Sequence, residues 1–154
     1  MLGSIPLGGL ISLAILAPNV LWMFLPPRRV PTGLESSRLV ATAENIGRVA
    51  VFVLPFFYPI AVRTIVEKSA LAAGGLALLI YYAGWARYFA NGRDFRLLYR
   101  PFLGIPVPMA TAPLTCFAAA GMLLHSPWLA IATAFFAAAH LQATVTIARR
   151  GRES

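Results

Sequence analysis

Apolar residues fill five long stretches of the chain, and short segments rich in proline, glycine and basic residues separate them. The stretches cover residues 5–25, 39–62, 69–90, 107–124 and 127–148. A helix needs roughly 20 apolar residues to cross the hydrocarbon core of a bilayer, and each stretch is about that long. The pattern therefore predicts an all-α fold, a polytopic membrane bundle of five transmembrane helices that forms one domain over residues 1–154.

The basic residues predict the orientation of these helices. If the N-terminus lies outside, nine arginines share one side of the membrane: Arg28, Arg29, Arg38, Arg93, Arg96, Arg100, Arg149, Arg150 and Arg152. The other side then holds Arg63 and Lys68. An excess of Lys and Arg is typical of cytoplasmic loops, so we expect the N-terminus outside and the C-terminus in the cytoplasm of a bacterium, with the protein in its inner (plasma) membrane. This arrangement accounts for the net charge of +8, and we predict no nucleic-acid partner.

Several kinds of chemistry are excluded by residue counts. Cys116 is the single cysteine, so an intrachain disulfide and two-thiol redox chemistry are excluded. Asp94 is the single aspartate, which excludes metal–diphosphate chemistry through clustered aspartates. The chain contains no zinc-ligand spacing, no Walker motif and no Gly-x-Ser-x-Gly sequence. We therefore expect neither a metal nor a cofactor. The first apolar stretch lacks a basic leader and is followed by two prolines, which favours a retained helix over a signal peptide.

Polar residues inside the predicted spans are the candidates for a site, because ionisable groups in a bilayer are costly and are functional hypotheses by default. Glu44 and Arg48 are four residues apart and share a helix face, whereas Asn45 points about 100° away. Three further polar residues are expected at the same inner depth: Asn19, Arg87 and His140. A structural ion pair that anchors the second helix and a ligand-binding or catalytic carboxyl group are both compatible with this pattern.

Aromatic residues accompany this polar level. Tyr81, Trp85 and Tyr88 share one face of the third span, and Tyr88 with Phe89 is expected in the aromatic belt at the headgroups. We predict that six of the aromatic side chains line an intramembrane pocket for substrate: Phe52, Phe56, Tyr58, Tyr81, Tyr82 and Trp85. Aromatic faces stabilise cations by about 0.5–2 kcal/mol each, so such a pocket suits a cationic ligand or intermediate.

Three segments resemble parts of a group of small, mostly uncharacterised bacterial integral membrane proteins: APNVLWMFLPP (17–27), AENIGRVAVFVLPFFYP (43–59) and WARYFANGRDFRLLYRPFLGIPVPMATAP (85–113). In size, membrane embedding and aromatic content, the chain is also similar to bacterial membrane-bound terpene cyclases of the indole-sesquiterpenoid type. This second resemblance rests on general character and on no shared motif. It implies a metal-free, proton-initiated cyclisation of a prenyl chain.

These observations lead to a hypothesis with open alternatives. We expect a membrane protein that binds a hydrophobic, isoprenoid-like substrate, and its enzymatic form would be an acid-initiated terpene cyclase. Glu44 would be the general acid with Asp94 as the substitute, and Arg48 and Asn45 would orient the acid. The alternatives are a non-enzymatic membrane subunit or assembly factor, and a small oligomeric channel or carrier lined at the Glu44–Arg48 level. The expected partners are membrane lipid and the hydrophobic small molecule, and a homo-oligomer is left open.

Overall fold

The computed structural model describes residues 7–30 and 37–153, with side chains up to residue 148. Five α-helices contain most of these residues: α1 (Gly9–Phe24), α2 (Arg38–Val53), α3 (Ile65–Ala90), α4 (Pro108–Leu123) and α5 (Pro127–Glu153). Two short 3-10 helices follow α2 and α3, at Leu54–Phe57 and Phe95–Leu98. No β-strand occurs in these two stretches, and the all-helical prediction is confirmed. The predicted start of the first helix, at residues 5 and 6, lies outside the described residues.

The helix ends differ from the apolar stretches where prolines and caps act. The second predicted stretch reaches residue 62, but α2 ends at Val53 because Pro55 turns the chain into the 3-10 helix. The third was expected to begin at residue 69, whereas α3 begins at Ile65 because Thr64 and Glu67 form a capping box. α5 continues to Glu153, beyond the end of its apolar stretch.

The helices α2, α5, α4 and α3 pack in this order, and α1 contacts α2, α3 and α4. Neighbours in this row run antiparallel, as the pairing of Gly121 with Ala130 on α4 and α5 illustrates. α1 runs parallel to α3, since the Tyr88 hydroxyl donates to the carbonyl of Leu25 at 3.2 Å. The last residues of α1 and α3 and the first residues of α2 and α4 therefore lie at the same end of the bundle. We call it the arginine-rich end; its arginines include Arg28, Arg29, Arg38, Arg93, Arg96 and Arg100.

Small residues allow the close helix contacts. A Cβ atom on Gly74 would lie 3.3 Å from the Cβ of Ala119, and one on Gly121 would lie 3.5 Å from the backbone nitrogen of Ala130. Short side chains let helix backbones approach one another in this way. Gly74 and Gly121 thus serve contacts within the chain, whereas Gly75 faces open space.

Pro18 interrupts the hydrogen bonding of α1, and a side chain of α3 supplies the missing donor. Proline has no N–H group, so the carbonyl four residues earlier, that of Ala14, loses its helical partner. The Tyr82 hydroxyl of α3 donates to this carbonyl at 2.7 Å. One turn further along α1, the Asn19 side-chain amide donates to Ile15 O at 2.9 Å and to the Tyr81 hydroxyl at 2.8 Å. These contacts fix α1 against α3.

The substitution Tyr82→Phe is expected to destabilise the protein by about 1 kcal/mol, because it leaves the Ala14 carbonyl without a donor. The measurement is the free energy of unfolding in a detergent–SDS titration. Tyr58→Phe is the matched control, since the described side chains give the Tyr58 hydroxyl no hydrogen-bond partner. If both variants lower the free energy of unfolding by the same amount, the hydrogen bond from Tyr82 to α1 does not stabilise the protein.

Three segments are long and apolar enough to cross a membrane: Arg38–Phe57, Ile65–Ala90 and Pro127–Ala148. α1 and α4 are apolar but have 16 residues each, a length of about 24 Å against a hydrocarbon core of about 30 Å. Large apolar side chains on the outer faces of the long helices are exposed, among them Leu39, Leu79 and Ile131. Such faces suit a lipid environment. Three of the five predicted spans are therefore long and apolar enough to cross a membrane.

Candidate functional site

Glu44 lies at the contact between α2 and α5, near the arginine-rich end. Its Oε1 atom lies 2.9 Å from Nδ1 of His140 and also accepts a hydrogen bond from the Arg48 guanidinium. The Glu44 side chain is 14% exposed, that of His140 21% and that of Arg48 48%. The predicted pairing of Glu44 with Arg48 is present, and His140 joins it from 96 residues away in the chain.

The surroundings of this cluster come from α5 and from the segment between α3 and α4. The His140 ring stacks on Phe136 with a centroid distance of 4.9 Å and an interplanar angle of 23°. Tyr99 belongs to the segment between α3 and α4. Burial raises the pKa of its phenol, and the negative charge of Glu44 raises that pKa further. Asn45 shares α2 with Glu44, but its side chain is exposed on another face of the helix.

Arg87 and Asp94 lie at the arginine-rich end, but their contacts are to the nearby segment between α3 and α4. The Arg87 guanidinium donates to the carbonyl of Pro101 at 3.1 Å and lies over the ring of Phe102 at 5.1 Å. The exposed Asp94 carboxylate accepts from the N–H of Arg96 at 2.9 Å and thereby caps the short helix that follows. Both residues hold the segment between α3 and α4, and neither makes a hydrogen bond to the Glu44 cluster.

An aromatic cluster is present on α3, as the stripe of aromatic residues predicts. Trp85 is its centre, with ring centroids 6.1 Å from Tyr81, 5.5 Å from Tyr88 and 5.6 Å from Phe89. The expectation that Tyr88 belongs to an interfacial belt is wrong, because Tyr88 is fully buried. The Trp85 indole nitrogen is buried with no hydrogen-bond partner among the described residues. These rings therefore fill space by packing on one another.

The other predicted pocket residues are Phe52, Phe56, Tyr58 and Tyr82. Phe52 packs edge-on against Phe117 of α4 at 5.1 Å, in the core of the bundle. Phe56 is about half exposed beside the start of α1, and Tyr58 is partly buried just after it. Tyr82 is partly exposed, its hydroxyl bonds to α1, and its ring lies 6.4 Å from that of Tyr81. Phe52 and Tyr58 pack against the same hydrophobic core as Tyr81 and Trp85 but form no ring pair with either of them.

A cavity of about 200 Å³ lies between α1, α3 and α4. All of its lining residues are aliphatic, glycine or cysteine: Leu10, Ile11, Ala14, Ile15, Ala70, Leu71, Gly74, Gly75, Leu78, Cys116, Ala119, Ala120 and Leu123. None of the six aromatic residues predicted to bind substrate belongs to this lining. Leu10 and Leu71 are about half exposed, so the cavity opens at the outer surface between α1 and α3.

The cavity and the Glu44 cluster occupy different depths of the bundle. The cavity extends along α4 from Cys116 to Leu123, next to the turn into α5. His140 comes 13 residues after Pro127, the first residue of α5, which places it about 20 Å along the helix from that turn. The carboxyl group and the apolar cavity are therefore two separate sites.

A second carboxyl–histidine pair lies at the opposite end of the bundle and was missed from the sequence. Glu67, with a side chain 6% exposed, lies 2.7 Å from Nε2 of His125 in the turn between α4 and α5. Its other oxygen accepts from the N–H of Thr64 at 2.7 Å. The Thr-x-x-Glu spacing is a capping-box motif that could have identified Glu67, but no local pattern indicates His125 as its partner.

No protein-family model, curated protein or solved structure matches the chain. The resemblance to small bacterial membrane proteins and to membrane-bound terpene cyclases therefore stays a prediction. Within residues 7–30 and 37–148, no three His, Cys, Asp or Glu side chains come together as metal ligands.

Proposed function

We propose that this chain is an integral membrane protein that binds an apolar, isoprenoid-like chain in the cavity between α1, α3 and α4. The observation that supports this function is the cavity itself, with its wholly apolar lining and its opening between Leu10 and Leu71. A chain dissolved in the bilayer would enter through this opening without crossing water.

The size of the cavity limits the ligand. An apolar cavity of about 150 Å³ admits benzene, and pockets for drug-sized ligands have about 300–1,000 Å³. At about 200 Å³, the cavity suits one segment of a chain whose remainder stays in lipid. Branched methyl groups fit the small-residue wall formed by Gly74, Gly75, Ala119 and Ala120.

In this proposal all five helices lie in the bacterial inner membrane, with the N-terminus outside and the C-terminus in the cytoplasm. Support comes from the basic residues of the arginine-rich end, against Arg63 and Lys68 at the opposite end. The shorter α1 and α4 pack between the long helices, and local thinning of the bilayer accommodates short spans at modest cost.

The proposal is tested with a farnesol derivative that carries a photoactivatable diazirine, incorporated with the protein into lipid nanodiscs. We expect adducts at residues 10–15, 70–78 and 116–123, and we expect unlabelled farnesol to suppress them. Adducts on the exposed face of α2 serve as the control for labelling from bulk lipid, and farnesol should leave them unchanged. Uniform labelling without competition would refute the proposed site.

A cyclase activity is a narrower form of this proposal. Glu44 accepts hydrogen bonds from Arg48 and His140 and lies away from the cavity, so the geometry supports chain binding better than proton donation by Glu44. If Glu44 is the acid, Glu44→Gln abolishes turnover of a prenyl substrate while the protein stays folded in detergent. The subunit, channel and carrier alternatives stay predictions from the sequence.

A further inference from the structure

The hydrogen bonds of Glu44 determine which ring nitrogen of a neutral His140 carries the proton. Oε1 of Glu44 accepts from the Arg48 guanidinium, and the same atom lies 2.9 Å from Nδ1 of His140. A guanidinium partner favours the carboxylate form, which can only accept hydrogen bonds. The proton of a neutral His140 ring therefore belongs on Nδ1, and Nε2 keeps a free lone pair.

The His140 ring is also held in place. Phe136 stacks against one face, and Glu44 fixes the ring through Nδ1. In many metal and catalytic sites, a carboxylate accepts a hydrogen bond from one ring nitrogen of a histidine and so directs the other ring nitrogen at a ligand. Here Nε2 has no hydrogen-bond partner among the described side chains, and it is not among the fully buried polar atoms.

The lone pair of Nε2 indicates which ligand it can take. Arg48 and His140 bind the same oxygen of Glu44, so the guanidinium lies on the Nδ1 side of the ring and leaves Nε2 as the free acceptor. A hydroxyl group can donate the hydrogen bond that an imidazole lone pair accepts. An ether or a hydrocarbon cannot donate to Nε2.

We propose that His140 Nε2 is a binding site for the hydroxyl group of an amphiphilic ligand, with Glu44 as the positioning residue. This site is distinct from the apolar cavity, and the proposal does not rest on chain binding there. Glu44 acts through His140 by setting its tautomer.

His125 provides an internal comparison. Its Nε2, not its Nδ1, lies 2.7 Å from a carboxylate oxygen of Glu67, so its neutral ring should carry the proton on Nε2. The two histidines are thus expected in opposite tautomers. The His125 side chain is 66% exposed, so its free nitrogen lies in a far more open environment than that of His140.

The first test is ¹⁵N NMR of histidine-labelled protein in nanodiscs at about pH 9, well above the ordinary histidine pKa of about 6.5. Protonated and bare ring nitrogens have clearly different ¹⁵N shifts, and His125→Gln and His140→Gln assign the signals. We expect His140 protonated on Nδ1 and His125 protonated on Nε2. Protonation of His140 on Nε2 would overturn the proposal.

The second test compares phenol, which donates a hydrogen bond, with anisole, its methyl ether without a donor. Phenol should move the Nε2 signal of His140 towards the protonated position, while anisole should leave it unchanged. The response of His125 measures non-specific contact and should be smaller. Equal responses of His140 to phenol and anisole, or a larger response of His125, would refute the site.

Glu44→Ala tests the role of Glu44. Without its acceptor, Nδ1 no longer holds the proton, so Nε2 becomes protonated in part and the affinity for phenol should fall about fivefold. An unchanged tautomer and an unchanged phenol response in this variant would contradict the positioning role. If the variant does not fold, the phenol–anisole comparison on the wild-type protein decides the proposal.

Discussion

Replacing Gly75 with leucine is expected to abolish most of the binding of a prenyl chain. Gly75 lines the cavity, and a Cβ atom built on it meets no atom within 4 Å. A leucine side chain therefore projects into the space that the ligand needs and displaces no protein atom at its base. Forcing extra methylene groups into an occupied space costs about 1–3 kcal/mol, which weakens binding roughly 5- to 150-fold.

The matched control for this variant is Ala72→Leu. Ala72 lies less than one turn from Gly75 on α3, is exposed, and does not line the cavity. Competable labelling by the farnesol diazirine should fall in Gly75→Leu and persist in Ala72→Leu. If both variants retain the labelling, or both lose it equally, the ligand does not occupy this cavity.

A leucine at Gly47 is expected to lower the free energy of unfolding by about 3 kcal/mol. Gly47 is where α2 crosses α5, and a Cβ atom on it would lie 2.9 Å from the Cα atom of Phe136. The obstacle is backbone, which cannot rotate away as a side chain can, so the two helices must separate. Gly47 is also one turn from Glu44, so the separation should lengthen the contact between Glu44 and His140.

The free energy of unfolding in a detergent–SDS titration measures this effect. Gly75→Leu is the control, because the same substitution at an open position should stay within about 1 kcal/mol of the wild type. A loss at Gly47 no greater than at Gly75 would show that α2 and α5 do not approach as closely as described. The ¹⁵N signal of His140 in the same Gly47 variant reports whether the Glu44 contact survives.

Local spacing in the sequence was sufficient to predict the helical elements and one part of the candidate site. Apolar stretches of about 20 residues indicate membrane helices because backbone groups in lipid must be satisfied within the segment. Glu44 and Arg48 pair because residues four apart are neighbours on any α-helix. The aromatic stripe of Tyr81, Trp85 and Tyr88 follows from the same periodicity.

The tertiary structure decided which distant groups meet. His140 reaches Glu44 across 96 residues, and His125 reaches Glu67 across 58, and no local pattern specifies such pairs. Packing also placed the cavity, because the aromatic rings fill space against one another while glycine and alanine leave it between α1, α3 and α4. Spacing along a helix determines which side chains lie on the same face. A cavity, in contrast, lies between helices and depends on the sizes of side chains from several distant segments, which only the tertiary structure brings together.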